Sequence, residues 1–261
     1  MNDEQYTTKL GSGQGIIEET IVLLKLWSPG MTGTELFKVA LESGKFPNIS
    51  ARRLKNLVLE GFASRYLIQD DKPAIYIKSL QYNSSNKELS QILYLYTCRR
   101  NRIFYDFVNE IYWKAYSSGQ ESISIDQARN FVINANQDGK TSKPWGASMI
   151  QRVPVYLVGT CADFGLVEKK KSAVRKILPF RIEISTVLYL VYDLHFSGFS
   201  DIGILNHTDW ELFGLNRYDV LDELKLLSLK NWFIVQSAGD IIKISWQYRN
   251  MEDLIDAIIR R

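Results

Sequence analysis

The sequence predicts a mostly α protein with small β-hairpin wings: winged-helix or helix-turn-helix-like units joined by a helical middle. Three observations predict it. Apolar residues recur at helical spacing along most of the 261 residues. Three times such a segment runs into two short strand-like stretches, at 50–78, 145–183 and 217–246. Positive charge is gathered beside the first two. Between Lys143 and Arg181 stand eight Lys or Arg and two acids, Asp163 and Glu168, a local net charge of +6 in a chain totalling +3. The predicted organisation is a helix-turn-helix-like unit with hairpin at 1–82, a helical segment with a basic winged-helix-like unit at 87–183, and a helix–hairpin–helix unit at 184–261.

The first 15 residues are polar and read as a flexible leader. Gly11-Ser-Gly-Gln-Gly15 precedes a helix, but a phosphate-binding loop would add Lys-Ser/Thr and follow a strand. Helices are predicted over Ile16–Trp27, stopped by Ser28-Pro-Gly30, and over Thr34–Glu42. A third, capped by Asn48 or Ser50, runs to about Ala63. On that third helix Leu54, Leu57, Val58 and Phe62 share one face, with Arg52 and Lys55 opposite. Helix, turn, then helix with an exposed basic side resembles a helix-turn-helix, whose second helix enters a major groove. A solvated basic face is the plain alternative. Arg65–Gln69 and Ala74–Lys78 read as a hairpin over Asp70-Asp-Lys-Pro73.

Asn83-Ser-Ser-Asn86 is the expected linker, and Lys87–Tyr116 is predicted helical throughout. Ser124 caps a helix at Ile125–Ala135. The next helix is predicted from Pro144 to Phe164, kinked or split by Pro154, with Trp145, Ser148 and Arg152 on its early turns. Gly165 then leads into two basic strands, one through Lys169, Lys170 and Lys171 and one from Lys176 to Glu183: the expected wing. Beyond it come a helix at Ile184–Phe196, a loop at 197–206, and a helix at Arg217–Lys230. A hairpin over Ser237-Ala-Gly-Asp240 and a helix at Met251–Ile259 end the chain. Residues 201–261 carry ten acids against seven bases, which suits packing against protein better than DNA.

Clustered cations are the electrostatic footprint of a polyanion. The candidate duplex-contacting residues are Arg52, Arg53, Lys55, Ser148, Arg152, Lys169, Lys170, Lys171, Arg175 and Lys176, with Trp145 packing at the groove edge. A second reading makes the acidic third unit a protein-docking scaffold, with Trp210, Trp232 and Trp246 on its face. A third makes Asp163, Glu168 and Lys170 a metal-dependent nuclease site, an acid followed by Glu-x-Lys, although Glu-x-Lys arises readily inside a lysine run. His195 and His207 are the only histidines and read as structural; neither they nor Cys98 and Cys161 match a metal-ligand spacing. No catalytic residue, cofactor or metal is expected. No apolar run reaches the ~20 residues of a membrane span, and the N-terminus lacks the order of a secretory signal, so the expectation is a cytoplasmic protein with reduced thiols.

Several segments, in order, look like one family. They are Lys9-Leu-Gly-Ser-Gly13, Asn48-Ile-Ser-Ala-Arg-Arg-Leu54, Arg102-Ile-Phe-Tyr-Asp-Phe-Val108, Lys143-Pro-Trp-Gly146 and Asp163-Phe-Gly-Leu-Val167. Trp210-Glu-Leu-Phe-Gly-Leu215, Ala238–Trp246 and Met251-Glu-Asp-Leu-Ile255 complete the set. Together they resemble BrxA, the small accessory protein of BREX bacteriophage-exclusion systems. The resemblance implies a mostly helical cytoplasmic protein that binds double-stranded DNA beside a methyltransferase, an ATPase and a phosphatase-like protein. It implies no catalytic residues. The inner-membrane label this family has at times carried is at odds with the hydropathy here.

Overall fold

In the computed structural model, residues 5–12, 15–239 and 241–260 are described. The chain divides into two compact units: 1–78 with 93–180, and 79–92 with 181–261. Both are mostly helical, and each contains one small antiparallel sheet.

In the first unit, α1 (Ile17–Leu26) and α2 (Gly33–Glu42) precede α3 (Ala51–Asn56), which continues through a π-helical turn to Tyr66. Thr32 and Glu35 form a reciprocal capping box at the start of α2, and Ser50 caps α3 by accepting from the Arg53 amide. The expected hairpin at 65–78 is instead helical: Arg65 and Tyr66 end the third helix, and α4 spans Lys72–Leu80. The reason lies in burial. Ala74, Tyr76, Ile77 and Leu80 are all buried, a helical period, whereas alternation would have exposed one of Tyr76 and Ile77. Pro73, a turn residue in the sequence expectation, sits in the first turn of α4, where its missing amide costs no hydrogen bond.

The helix expected over 87–116 breaks at Asn101, which leaves the helical region (φ −121°, ψ 89°) between α5 (Asn86–Arg100) and α6 (Arg102–Phe107). Buried Asn101 donates from Nδ2 to the Thr97 carbonyl at 2.8 Å. The chain continues through a π-helical turn to Ser117, then β1 (Ser122–Ser124), α7 (Ile125–Gln137) and α8 (Ala147–Asp163). Aromatic contacts bind these pieces. Tyr94 and Phe104 both meet Phe164, at 5.4 and 6.5 Å, and Phe107 meets Phe131 at 5.6 Å. Pro154 does not split α8 into two helices; it is buried inside a single 17-residue helix.

Residues 5–12 are no loose leader. Tyr6 is buried, donates its hydroxyl to Asp106 at 2.7 Å and bridges in parallel to Thr141; Leu10 is buried too. The glycines here allow close approach to α8. A Cβ on Gly11 would lie 2.7 Å from the Tyr156 ring, and one on Gly15 would lie 2.4 Å from Asp163 Cβ. The rest of the glycine-rich stretch, Gly13 and Gln14, and the acidic start through Glu4 lie outside the described residues.

In the second unit, α9 (Ile184–Phe196) is buried on nearly every side, as an all-round apolar helix must be. It is followed by α10 (Asp201–Leu205), α11 (Arg217–Leu229), the antiparallel pair β3 (Phe233–Ala238) and β4 (Ile241–Trp246), and α12 (Met251–Ile259). The expected loop at 197–206 thus contains a helix, capped by Ser200 and anchored by buried Ile204 and Leu205. The hairpin pairs Phe233 with Trp246 through Ala238 with Ile241; Asp240 of its turn lies outside the described residues. Trp210 and Trp232 belong to the core at 1% and 5% exposure, so two of the three tryptophans expected on a docking face are unavailable to a partner. Tyr192, whose hydroxyl donates to the Trp232 carbonyl at 2.8 Å, has its pKa pushed up to about 12 by burial.

Candidate nucleic-acid interface

The basic wing is built differently from the sequence expectation. α8 ends in a Schellman motif: Leu166 N–H reaches the Cys161 carbonyl, Gly165 N–H reaches that of Ala162, and Gly165 takes φ 73°. From there Val167 bridges Ile177, and Glu168 N–H donates to the Lys176 carbonyl at 2.9 Å. The regular strand is β2 (Val174–Lys176), and its partner is β1, with Ser122 opposite Lys176 and Ser124 opposite Val174. The first expected strand, 165–171, is therefore reduced to a single bridge, and the second, expected over Lys176–Glu183, forms instead at Val174–Lys176, with only the Ile177 bridge beyond it. Lys169, Lys170 and Lys171 lie in the exposed connection between Glu168 and β2. Sequence reasoning missed β1 because three residues are too few to show a period.

Two other basic elements belong to the same unit. On α3, Arg52, Arg53 and Lys55 are exposed while Leu54, Leu57 and Val58 are buried behind them. On α8, Ser148 and Arg152, one turn apart, are exposed opposite buried Val153, Leu157 and Cys161. Lys176 is exposed and Arg175 half-buried. Among the described residues, none of Arg52, Arg53, Lys55, Arg152, Lys169, Lys170, Lys171, Arg175 and Lys176 forms an ion pair with a carboxylate within 4 Å.

Arg53 and Lys169, 116 positions apart, line one open cleft of ≈ 380 Å³, together with Tyr156, Asp163, Glu18 and Glu19. The tertiary structure thus brings one α3 cation and one wing-loop cation to a common opening. Nothing in the sequence paired them, nor marked Tyr156. The lining carries three carboxylates, Glu18, Glu19 and Asp163, against those two cations.

Trp145, expected at a groove edge, is instead buried. It is 7% exposed, and its amide donates to Asn136 Oδ1 at 2.7 Å, which starts α8 at Ala147 and not at Pro144. Asp163, the first nuclease candidate, accepts from Gly15 N–H at 3.1 Å. Burial raises its pKa; the Gly15 hydrogen bond and the charges of Lys169 and Arg175 oppose that shift without cancelling it. Among the described residues no three His, Cys, Asp or Glu side chains come together as a metal site, so Asp163 and Glu168 acquire no third carboxylate. The histidines have structural surroundings: His195 stacks on Trp246 at 4.0 Å, and His207 Nδ1 accepts from the Asp209 amide. Cys98 and Cys161 are free and buried. No described helix is long and apolar enough to cross a membrane.

No curated protein and no solved structure matches the chain. A family model described as BrxA matches residues 4–192, which is 189 of 261 positions and includes α3, α8 and the basic loop; the chain belongs to the BrxA family.

Proposed function

We propose that this chain is a non-enzymatic accessory protein of a BREX phage-defence system and that it binds double-stranded DNA through its first unit. BrxA membership supports the association with phage defence. The DNA reading rests on one observation: nine cations on α3, α8 and the wing segment have no carboxylate partner among the described residues. Unpaired cations on an exposed surface are free to neutralise phosphates. The order α6, β1, α7, α8, then a loop returning to pair with β1 supports a winged-helix reading. In it the N-terminal turns of α8, with Ser148 and Arg152, face the groove. Lys169–Lys171 grip the flanking backbone, and Arg52, Arg53 and Lys55 hold phosphates from α3. Such a protein works in the cytoplasm, alongside the system's methyltransferase, ATPase and phosphatase-like protein.

Phosphate contacts carry little base information, so binding is sequence-tolerant and salt-dependent. Titration against duplex DNA, single-stranded DNA and RNA at two salt concentrations tests this. Duplex DNA is expected to bind most tightly. When Lys169, Lys170 and Lys171 become Ala, the log–log salt slope should flatten by about 0.9 for each phosphate those lysines engage. Unchanged affinity and slope in that variant would remove the loop from the interface.

A further inference from the structure

The cleft that Arg53 and Lys169 share holds chemistry that backbone phosphates alone do not use. Its ≈ 380 Å³ fall within the roughly 300–1,000 Å³ of small-molecule sites. Ile16 and Ile17 give it an apolar wall, and half-buried Tyr156 gives it an aromatic ring. Gly11 packs against that ring with no room for a side chain, which limits the ring's freedom to swing. Glu18, Glu19 and Asp163 line the same opening, yet among the described residues no carboxylate pairs with Arg53 or Lys169 within 4 Å. Both signs of charge therefore stay available to one ligand, beside a surface for stacking.

Asp163 is held in place. Its Oδ2 accepts from Gly15 N–H at 3.1 Å, and Oδ1 has no hydrogen bond among the described residues. A fixed carboxylate oxygen accepts from the amino group that adenine, cytosine and guanine carry and thymine lacks. An aromatic ring stacks on the flat face of any base, and two cations neutralise a phosphate. We infer that this cleft receives a single nucleotide with an amino-bearing base. The base stacks on Tyr156, its amino group donates to Asp163, and its phosphate lies between Arg53 and Lys169. That nucleotide is either free or an unpaired one in a DNA strand; the second source rests on the proposed DNA binding, and the first does not.

Titration of the full chain with dAMP, dCMP, dTMP and inorganic phosphate, followed by NMR of its amides, tests the free nucleotide. The expected result is that dAMP and dCMP bind more tightly than dTMP and phosphate. Tyr156→Ala should weaken both by about fivefold or more. Asp163→Asn keeps an acceptor for Gly15 N–H but turns a donor to the ligand, so it should move the preference toward dTMP. A second arm compares a fully paired duplex with the same duplex carrying one unpaired adenine or one unpaired thymine. The wild type should favour the unpaired adenine over both others, and Tyr156→Ala should lose that preference while binding the paired duplex unchanged. Circular dichroism checks the fold of each variant, and Asp163→Asn decides the matter if Tyr156→Ala does not fold. A preference for amino-bearing bases that falls in these variants supports the site, and the arm showing it names the source. If neither arm shows that preference, or if both variants retain it, the inference is overturned. A paired duplex that still binds in that case leaves the DNA reading standing, and one that never binds sinks only that reading, since the mononucleotide arm needs no DNA.

Discussion

At the scale of single residues, three positions carry separable roles. The Tyr6 hydroxyl is the buried donor to Asp106, and it ties the N-terminal segment to the helical middle. Tyr6→Phe leaves that carboxylate short of a donor, with Arg102 as its remaining ion-pair partner. The substitution is expected to cost about 1–3 kcal/mol in chemical denaturation. Gly165 holds φ 73° with open space where a Cβ would point, so Gly165→Ala meets only backbone strain, about 1–2 kcal/mol. Because Gly165 sets the exit from α8, the same variant should weaken duplex binding even where folding is retained.

His195 makes the second unit sensitive to acid. Burial against Trp246 lowers its pKa from the ordinary 6.5, and the nearby Asp201 only partly offsets that. The folded state therefore binds the proton less readily than the unfolded chain. The stability this group contributes is fully present above about 6.5 and falls away as pH drops through the lowered folded value. Unfolding followed by tryptophan fluorescence between neutral and mildly acidic pH should show that loss, and His195→Phe, which keeps an aromatic ring on Trp246, should flatten it.

At the scale of elements, short-range signals were legible where one residue type had one physical use. The caps at Ser50 and Ser124, the Gly165 exit and the β3–β4 hairpin all follow from local donors, acceptors and glycine conformations. Asp71-Lys-Pro73 misled because proline serves a turn and a helix start equally, and only the burial of Tyr76 together with Ile77 decides between them. The wing shows the same limit. Its charge was evident, but its strand partner lies far upstream: Ser124 pairs with Val174 and Ser122 with Lys176, separations of 50 and 54 positions. Removing β1's buried side chain with Ile123→Ala should cost about 2–5 kcal/mol if the site does not collapse. It should also loosen the loop bearing Lys169–Lys171, read as faster amide exchange in residues 168–177.

At the scale of the whole molecule, charge is divided along the chain. Residues 201–261 sum to −3 and the remainder to +6, so the excess positive charge lies outside the C-terminal segment, as the proposed DNA contact through the first unit requires. Burial of Trp210 and Trp232 takes two of the three expected tryptophans out of the docking face, while Tyr218 and Leu229 on α11 are exposed. A Lys169–Lys171→Ala variant should lose DNA affinity while keeping the wild-type fold, read by circular dichroism beside the binding titration.

The amino-acid order alone determined the helical class, the concentration of cations between Lys143 and Arg181, and the family, because period, charge and motif are local properties of the chain. Tertiary structure decided which cations share an opening, as Arg53 and Lys169 do, and which expected contact was core, as Trp145 is. Those outcomes depend on which faces bury their apolar area against each other. That is settled by packing between segments far apart in sequence, and no short window of sequence contains it.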